Sequence, residues 1–409
     1  MSITVSHPSK IIKGVIHLTS SKSESNRALI IQALCKDSFS IDNLSISNDT
    51  VVLKSLLNSQ ESELSVNLAG TAMRFLTAYL SIQNKEVVLT GAQRMKERPI
   101  KVLVDVLKQM GAEISYEENE GYPPLKICGK KLSGDKVLID GGISSQYVSA
   151  LLMIAPKLDK GLVIEFEGEI ISKPYINMTI EMMRYFGAEV QWKGNSIIVG
   201  SGNYKAKDFR VEADWSAASY WYSMVALAKE ADITLFGLKE ESLQGDSVAQ
   251  EIYKSFGVQT EFVNGGIRLT KTECHPELVE GEVLNIDFVH CPDIAQTVAV
   301  TSAALNIKAK LTGLKTLRIK ETDRISALQK ELTKLGFSID VEGDDIVINS
   351  TEVIIEVFNQ SVETYDDHRM AMAFAPLALQ HSITIEDEAV VGKSYPEFWG
   401  DLGRIGFGN

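Results

Sequence analysis

The sequence has little cysteine and no pattern in it. Cys35, Cys128, Cys274 and Cys291 are scattered over 409 positions without a CxxC pair. Neither a disulfide framework nor a zinc ribbon is thereby indicated, and a reducing compartment is expected, the cytoplasm by default. Proline is scarce at 10 residues, and no biased tract suggests disorder. No apolar run approaches the roughly 18 residues of a membrane span, and Met1 to Ser20 lacks the marks of a targeting segment. Positive charge is also short: Lys+Arg 41 against Asp+Glu 54 leaves −13, the wrong sign for a broad nucleic-acid surface. An anionic ligand would need its cations concentrated locally. GxGxxG, HExxH and GxSxG are absent, and Val391-Gly392-Lys393-Ser394 is no P-loop, because Asp387 stands where the earlier glycine is required. Cys274-His275 and His290-Cys291 are adjacent pairs, whose side chains rarely share a metal, so no metal is expected.

What is present is a repeat. A helix tail, a glycine and an alternating strand recur at Gly111, Gly187, Gly257 and Gly336, spaced 76, 70 and 79 residues apart. Glycine just past a helix end supplies the left-handed conformation that stops the helix. A second strand follows each after a polar turn, at Leu125 to Cys128, Ser196 to Val199, Gly266 to Leu269 and Asp345 to Ile348, so each unit ends in a hairpin. A further strand theme occurs six times, from Ser38 to Leu44 through Ser382 to Asp387. Each is preceded by an apolar helix with a polar or glycine start: Ser25-Asn26, Gly70-Thr71, Ser144-Ser145, Asp214-Trp215-Ser216, Pro292-Asp293 and Asp367-His368. Six related α/β units follow, the first short, in two domains of three. Ser, Asp and Asn at such positions are first of all N-caps, worth about 1 kcal/mol each.

Two features exceed capping. Six helix N-termini facing one region would concentrate unsatisfied N–H groups and positive dipole ends, an anion-binding arrangement. The same segments also hold the cations. Lys22 is expected on the loop before a helix, with Arg27 in its first turns. Gly70-Thr71 opens the next helix with small residues that admit a ligand close to backbone N–H groups. Arg98 ends the basic run Arg94-Met95-Lys96-Glu97-Arg98, before a helix expected to start at Pro99. Ser144, Ser145 and Gln146 offer two hydroxyls and an amide. Lys320 and Arg324, four apart, would share a helix face if the segment is helical, with Glu321 beside them. Asp366-Asp367-His368-Arg369 reads as a metal site, an acid/base pair or a capped helix start, with the cap favoured.

These segments closely resemble the 5-enolpyruvylshikimate-3-phosphate synthase family, also called 3-phosphoshikimate 1-carboxyvinyltransferase. The resemblance runs in order from Lys22 to Lys393. It is carried by Ser21-Lys22-Ser23 with Ser25-Asn26-Arg27-Ala28-Leu29, Ala69-Gly70-Thr71-Ala72-Met73-Arg74, Arg94-Met95-Lys96-Glu97-Arg98-Pro99-Ile100, Ser144-Ser145-Gln146, Ser172-Lys173-Pro174-Tyr175, Lys320-Glu321-Thr322-Asp323-Arg324 and Asp367-His368-Arg369-Met370-Ala371-Met372. It implies a two-domain inside-out α/β barrel, each domain three βαβαββ units, with helix N-termini facing the interdomain cleft. The domains would be residues 21–211 and residues 1–20 plus 212–409, and the two crossings would hinge as substrate closes the cleft.

The implied reaction moves the enolpyruvyl group of phosphoenolpyruvate to the 5-hydroxyl of shikimate 3-phosphate and releases phosphate, with no cofactor and no metal. By resemblance, Lys22, Ser23, Arg27, Ser144, Ser145, Gln146, Ser172, Asp293 and Lys320 would hold shikimate 3-phosphate, with Tyr175 nearby. Lys22, Gly70, Arg98, Gln146, Arg324, Arg369 and Lys393 would hold phosphoenolpyruvate. Asp293 would be the base toward the hydroxyl and Glu321 the proton donor and acceptor at the methylene carbon, near Lys22 and His368. Thr19-Ser20 replaces the family's usual Pro-Gly, Phe75 its Pro and Thr316 an Asn that often contacts substrate, so the response to the inhibitor glyphosate is not implied. The rival sister enzyme, which uses a UDP-linked amino sugar, usually carries a reactive Cys near the counterpart of Arg98, and residues 84–100 contain none. A silent anion-binding relative conflicts with the joint presence of Lys22, Asp293, Glu321, Arg324 and Lys393, and an RNA-end-processing enzyme with the charge of −13. Small-molecule partners, no nucleic acid, no membrane and a monomer are expected.

Overall fold

The computed structural model describes residues 1–272, 283–349 and 360–408; Cys274 and His275 lie outside them. Contacts divide the chain into a discontinuous unit, Met1–Ser20 with Glu212–Asn409, and a continuous unit, Ser21–Val211. In the discontinuous unit Ser20 bridges Ala213, and the Asp214 N–H donates to the Thr19 carbonyl at 2.8 Å, where the chain leaves and re-enters.

Among the described residues, four sheets have four strands in one common order. In the continuous unit, Glu63–Ser65 lies parallel to Glu86–Thr90, which pairs antiparallel with Leu125–Cys128 and that with Glu113–Tyr116. Lys136–Asp140, Leu162–Glu167, Ser196–Val199 and Val190–Lys193 repeat the pattern. In the discontinuous unit it recurs from Ile11–His17 and from Leu284–Asp287. A parallel first pair requires a crossover, supplied by a helix, and the antiparallel remainder closes through a short turn. Two abbreviated sheets accompany these, Ile41–Asp42 with Phe209–Arg210 and Ser2–Val5 with Ile383–Glu386. The expected hairpins are present, and Gly111, Gly187, Gly257 and Gly336 all stop their helices at positive φ, between 75° and 98°. At Gly111 the next N–H, of Ala112, reaches back to the Leu107 carbonyl at 2.9 Å, which satisfies a carbonyl the helix end would otherwise orphan.

Each unit has its own apolar core, formed around helices buried on nearly all sides. In the continuous unit these are Lys22–Leu34, Gly70–Ser81 and Ser145–Ile154. In the discontinuous unit they are Trp215–Leu227, Ala295–Ala304 and His368–Phe374. Helices enclosed on nearly all sides must pair their polar groups internally, and small hydroxyls then serve as helix-to-helix contacts. Ser219 Oγ lies 3.3 Å from Thr297 Oγ1, and Thr301 Oγ1 donates to Ser223 Oγ at 2.8 Å.

Three helix starts differ from the sequence reading. The first helix begins at Lys22, because Ser21 accepts from the Glu24 N–H at 3.3 Å in a Ser-x-x-Glu capping pattern. Ser25 and Asn26 are thereby placed in the second turn, where they accept from the Ser45 N–H and from Thr50 Oγ1. Pro99 precedes its helix, Lys101–Gln109, whose N-cap is Ile100, and Gln93–Lys96 forms a separate helical turn. Lys320 is not on the helix of Arg324, since Asp323 caps Arg324–Lys334 by accepting from the Ser326 N–H at 3.1 Å.

Candidate functional site

In the continuous unit the helix starts are tied side by side. Gln146 Nε2 donates to Thr71 Oγ1 at 3.1 Å, which joins the beginnings of the second and third buried helices. Ser144 caps the third by accepting from the Gln146 N–H at 3.3 Å, and Ser145 is its first residue. Lys22, the first residue of the first helix, points Nζ at Asp49 Oδ2, 3.3 Å away. Asp49 was not evident from sequence: an acidic residue in the first turn of Asn48–Leu57 looks like an ordinary complement to the helix dipole.

Arg27 is buried. Its guanidinium donates to Thr179 Oγ1 at 2.7 Å, the Ser23 carbonyl at 2.9 Å, and Ser149 Oγ and the Tyr175 carbonyl at 3.2 Å each. Burial pulls its pKa down to about 10, against the opposing charges of Tyr175 and Glu24, so a nearby anion would stabilise it. Ser172 stands at φ 52° ahead of Lys173–Tyr185 and makes no capping bond with that helix.

Arg98 and Gly70 form the most unusual pair. A Cβ at Gly70 would lie 2.7 Å from Arg98 Nη1 and 2.8 Å from Nη2, so the missing side chain is the space that the guanidinium occupies. This puts a cation, only 7% exposed, at the N-terminus of a 12-residue helix, where dipole and charge repel. Arg98 has no ion pair among the described residues, and its Nε lacks a hydrogen-bond partner. A buried guanidinium at a helix start with nothing negative beside it is an arrangement that an anion would stabilise.

The discontinuous unit gathers charge instead. Arg324, 1% exposed, donates to Asp367 Oδ2 at 2.7 Å, Glu321 Oε2 at 2.9 Å and Asp293 Oδ1 at 3.2 Å. Arg369 meets Asp293 Oδ2 at 3.1 Å and the Asp293 carbonyl at 2.8 Å. Lys320 lies 3.5 Å from Asp293, and Lys393 lies 2.9 Å from Glu321 Oε1. Burial opposes the charge of Asp293, yet Arg369, Lys320 and Arg324 together hold its carboxyl well below the ordinary range. Burial lowers the Lys320 pKa despite the pull of Asp293.

His368 is buried, with Nδ1 3.4 Å from Asp367 Oδ1. Asp367 is the cap that sequence suggested, accepting from the Arg369 N–H at 2.9 Å, and also a partner of Arg324. Sequence reasoning missed Asp246, a buried carboxyl that accepts a short hydrogen bond from Ser216 Oγ. Burial, reinforced by the charge of Asp293, raises its pKa to about 6. Among the described residues no group of three His, Cys, Asp or Glu is arranged to hold a metal, and no helix is long and apolar enough to cross a membrane.

A family model described as EPSP synthase (3-phosphoshikimate 1-carboxyvinyltransferase) matches residues 51–402. A 3-phosphoshikimate 1-carboxyvinyltransferase from Bacteroides fragilis (strain YCH46) is 47% identical, covering 100% of this chain and 98% of that protein. One from Sulfurovum sp. (strain NBC37-1) is 38% identical over 99% of each. A solved structure of EPSP synthase from Acinetobacter baumannii superimposes with a TM-score of 0.77 over 100% of both chains at 21% identity, which shows a common mixed α/β fold. The chain belongs to the EPSP synthase (3-phosphoshikimate 1-carboxyvinyltransferase) family.

Proposed function

We propose that the chain performs the reaction of its family, moving the enolpyruvyl group of phosphoenolpyruvate to the 5-hydroxyl of shikimate 3-phosphate and releasing phosphate, a step of the shikimate pathway to aromatic amino acids. The observation that carries the phosphoenolpyruvate part is Arg98, buried against Gly70 at a helix start without an anionic partner. Arg98, Gly70, Gln146, Arg324, Arg369 and Lys393 hold phosphoenolpyruvate in this reading. Ser23, Arg27, Ser144, Ser145, Gln146 and Ser172, with Asp293 and Lys320, hold shikimate 3-phosphate, and Lys22 serves both. The working form is taken as a cytoplasmic monomer.

The chemistry needs a proton delivered to the methylene carbon of phosphoenolpyruvate and another removed from the 5-hydroxyl. The tetrahedral adduct then loses phosphate and a methyl proton. Asp293 is the base toward the hydroxyl. At rest it is a poor one, because three cations saturate it. Substrate phosphate and carboxylate groups compete for those cations, and each contact they draw away raises the proton affinity of Asp293. The same competition acts on Glu321, gripped by Arg324 and Lys393, which exchanges the proton at the methylene carbon. The substrates' own charges thus bring both carboxylates toward a useful pKa.

Phosphate release from phosphoenolpyruvate tests this, with shikimate 3-phosphate or UDP-N-acetylglucosamine as acceptor and Lys22→Met as blank. Release with shikimate 3-phosphate alone, abolished in a folded Lys22→Met variant, is expected. Release with the UDP-sugar would transfer the chain to the sister reaction, and release with neither would leave a silent anion-binding protein.

A further inference from the structure

The turn that delivers Asp367 and Arg369 is built from residues that disfavour it. Tyr365 and Asp366 stand consecutively at φ 54° and 56°, and the Asp367 N–H closes the turn on the Thr364 carbonyl at 2.9 Å. Two central residues at positive φ make the turn pattern that Asn-Gly adopts readily and that a tyrosine adopts only under constraint. Such a conformation persists where its surroundings over-determine it.

The constraint comes from Glu331, fully buried on the helix Arg324–Lys334. Its Oε1 accepts the Tyr365 hydroxyl at 2.6 Å, and its Oε2 accepts the Glu363 N–H at 3.1 Å. Lys334 pairs with the same carboxylate, and Lys330 both lies over the Tyr365 ring and pairs with Glu363. The first residue of this helix, Arg324, grips Asp367 just past the turn. One helix therefore holds the turn from both sides.

We infer that Glu331 and Tyr365 are positioning residues for phosphoenolpyruvate: their hydrogen bond holds the 364–367 turn in its disfavoured conformation, and the turn sets Asp367, which grips the guanidinium of Arg324 and caps the helix that carries Arg369. This rests on the proposed assignment of those two arginines to phosphoenolpyruvate. Neither Glu331 nor Tyr365 touches substrate in it.

Tyr365→Phe removes one hydroxyl and keeps the ring. It is expected to raise the KM for phosphoenolpyruvate about tenfold while leaving that for shikimate 3-phosphate within about twofold. Glu331→Gln leaves one acceptor oxygen where the Tyr365 hydroxyl and the Glu363 N–H need two, so the clamp loses a bond and the same KM should rise; the double variant should be little worse than either, because both act through one clamp. Tyr365→Asn with Asp366→Gly installs a turn that needs no clamp. In the Glu331→Gln background it should bring the KM for phosphoenolpyruvate back to within about threefold of wild type. Equal rises in both KM values, no change in either, or no rescue in a folded protein would overturn the positioning role. If Glu331→Gln does not fold, Tyr365→Phe decides alone. Wild-type protein that turns over neither substrate pair would instead count against the reaction itself.

Discussion

The two units place their charges by opposite means. In the continuous unit Lys22 pairs with Asp49, and elsewhere neutral groups do the holding: Gln146 meets Thr71, Ser144 caps its helix, and Arg27 is held by hydroxyls and carbonyls rather than carboxylates. Arg98 there has no ion pair among the described residues. In the discontinuous unit Lys320, Arg324, Arg369 and Lys393 are interlocked with Asp293, Glu321 and Asp367. An anion entering beside Arg27 or Arg98 gains a partner at no cost to an existing ion pair. An anion entering the second set must displace a carboxylate, and that displacement raises the carboxylate's proton affinity. One set is suited to binding and the other to coupling binding with proton transfer.

Asp293→Asn should break this contrast most sharply. It keeps the shape and removes the competing charge, so kcat should fall by about 10²- to 10⁴-fold, the usual worth of a general base. Phosphoenolpyruvate should bind at least as well, since Arg369, Arg324 and Lys320 lose a rival. Steady-state kinetics with both substrates separates the cases, and a rise in KM with kcat intact would make Asp293 a binding residue. Gly70→Ala probes the other unit. The added methyl would sit under 3.0 Å from both terminal nitrogens of Arg98 and must push the guanidinium from the helix start. A rise in the KM for phosphoenolpyruvate of about tenfold is expected, with kcat less affected and thermal stability close to wild type. An unchanged KM would mean that Arg98 can move without consequence, and the anion site would have to lie elsewhere.

What sequence made legible was local chemistry. The helix-stopping glycines and the hairpins after them depend on residues within a few positions of one another, so Gly111 and Gly187 could be read directly. The start of the first helix could not. Ser21 and Ser25 are both good caps, and the contact that occupies Ser25 comes from Ser45, 20 residues on. Lys320 and Arg324 were expected on one helix face. They reach Asp293 from different elements, because Asp323 stops the helix between them. Asp49 and Asp246 were invisible, since no spacing links Asp49 to Lys22 or Asp246 to Ser216. Gly70 was read as room for a ligand, whereas it is first of all room for Arg98. Family resemblance named most of the cations, and the fold then supplied their partners.

The effect confined to stability lies at Asp246, and it separates the two carboxyls that face Arg369. Burial raises the Asp246 pKa to about 6, with Asp293 adding to the shift and Arg369 and Ser216 opposing it. An unfolded Asp titrates near 3.9, so between roughly pH 4 and 6 the native state keeps a proton that the unfolded chain has released. Stability from this group therefore falls as pH rises through that window and is level above it. Asp293 has the opposite sign: its depressed pKa stabilises the fold at every pH above roughly 4, and that contribution is lost only on further acidification. In Asp246→Asn the Ser216 hydroxyl can still donate to the amide oxygen, while the titration disappears. The variant should match wild type near pH 4 and exceed it at pH 7.5, by on the order of 2 kcal/mol. Denaturant unfolding of both proteins across that range measures the difference directly. A difference that does not change with pH would mean that Asp246 titrates in the folded protein as it does in the unfolded chain, so that its burial does not raise its pKa.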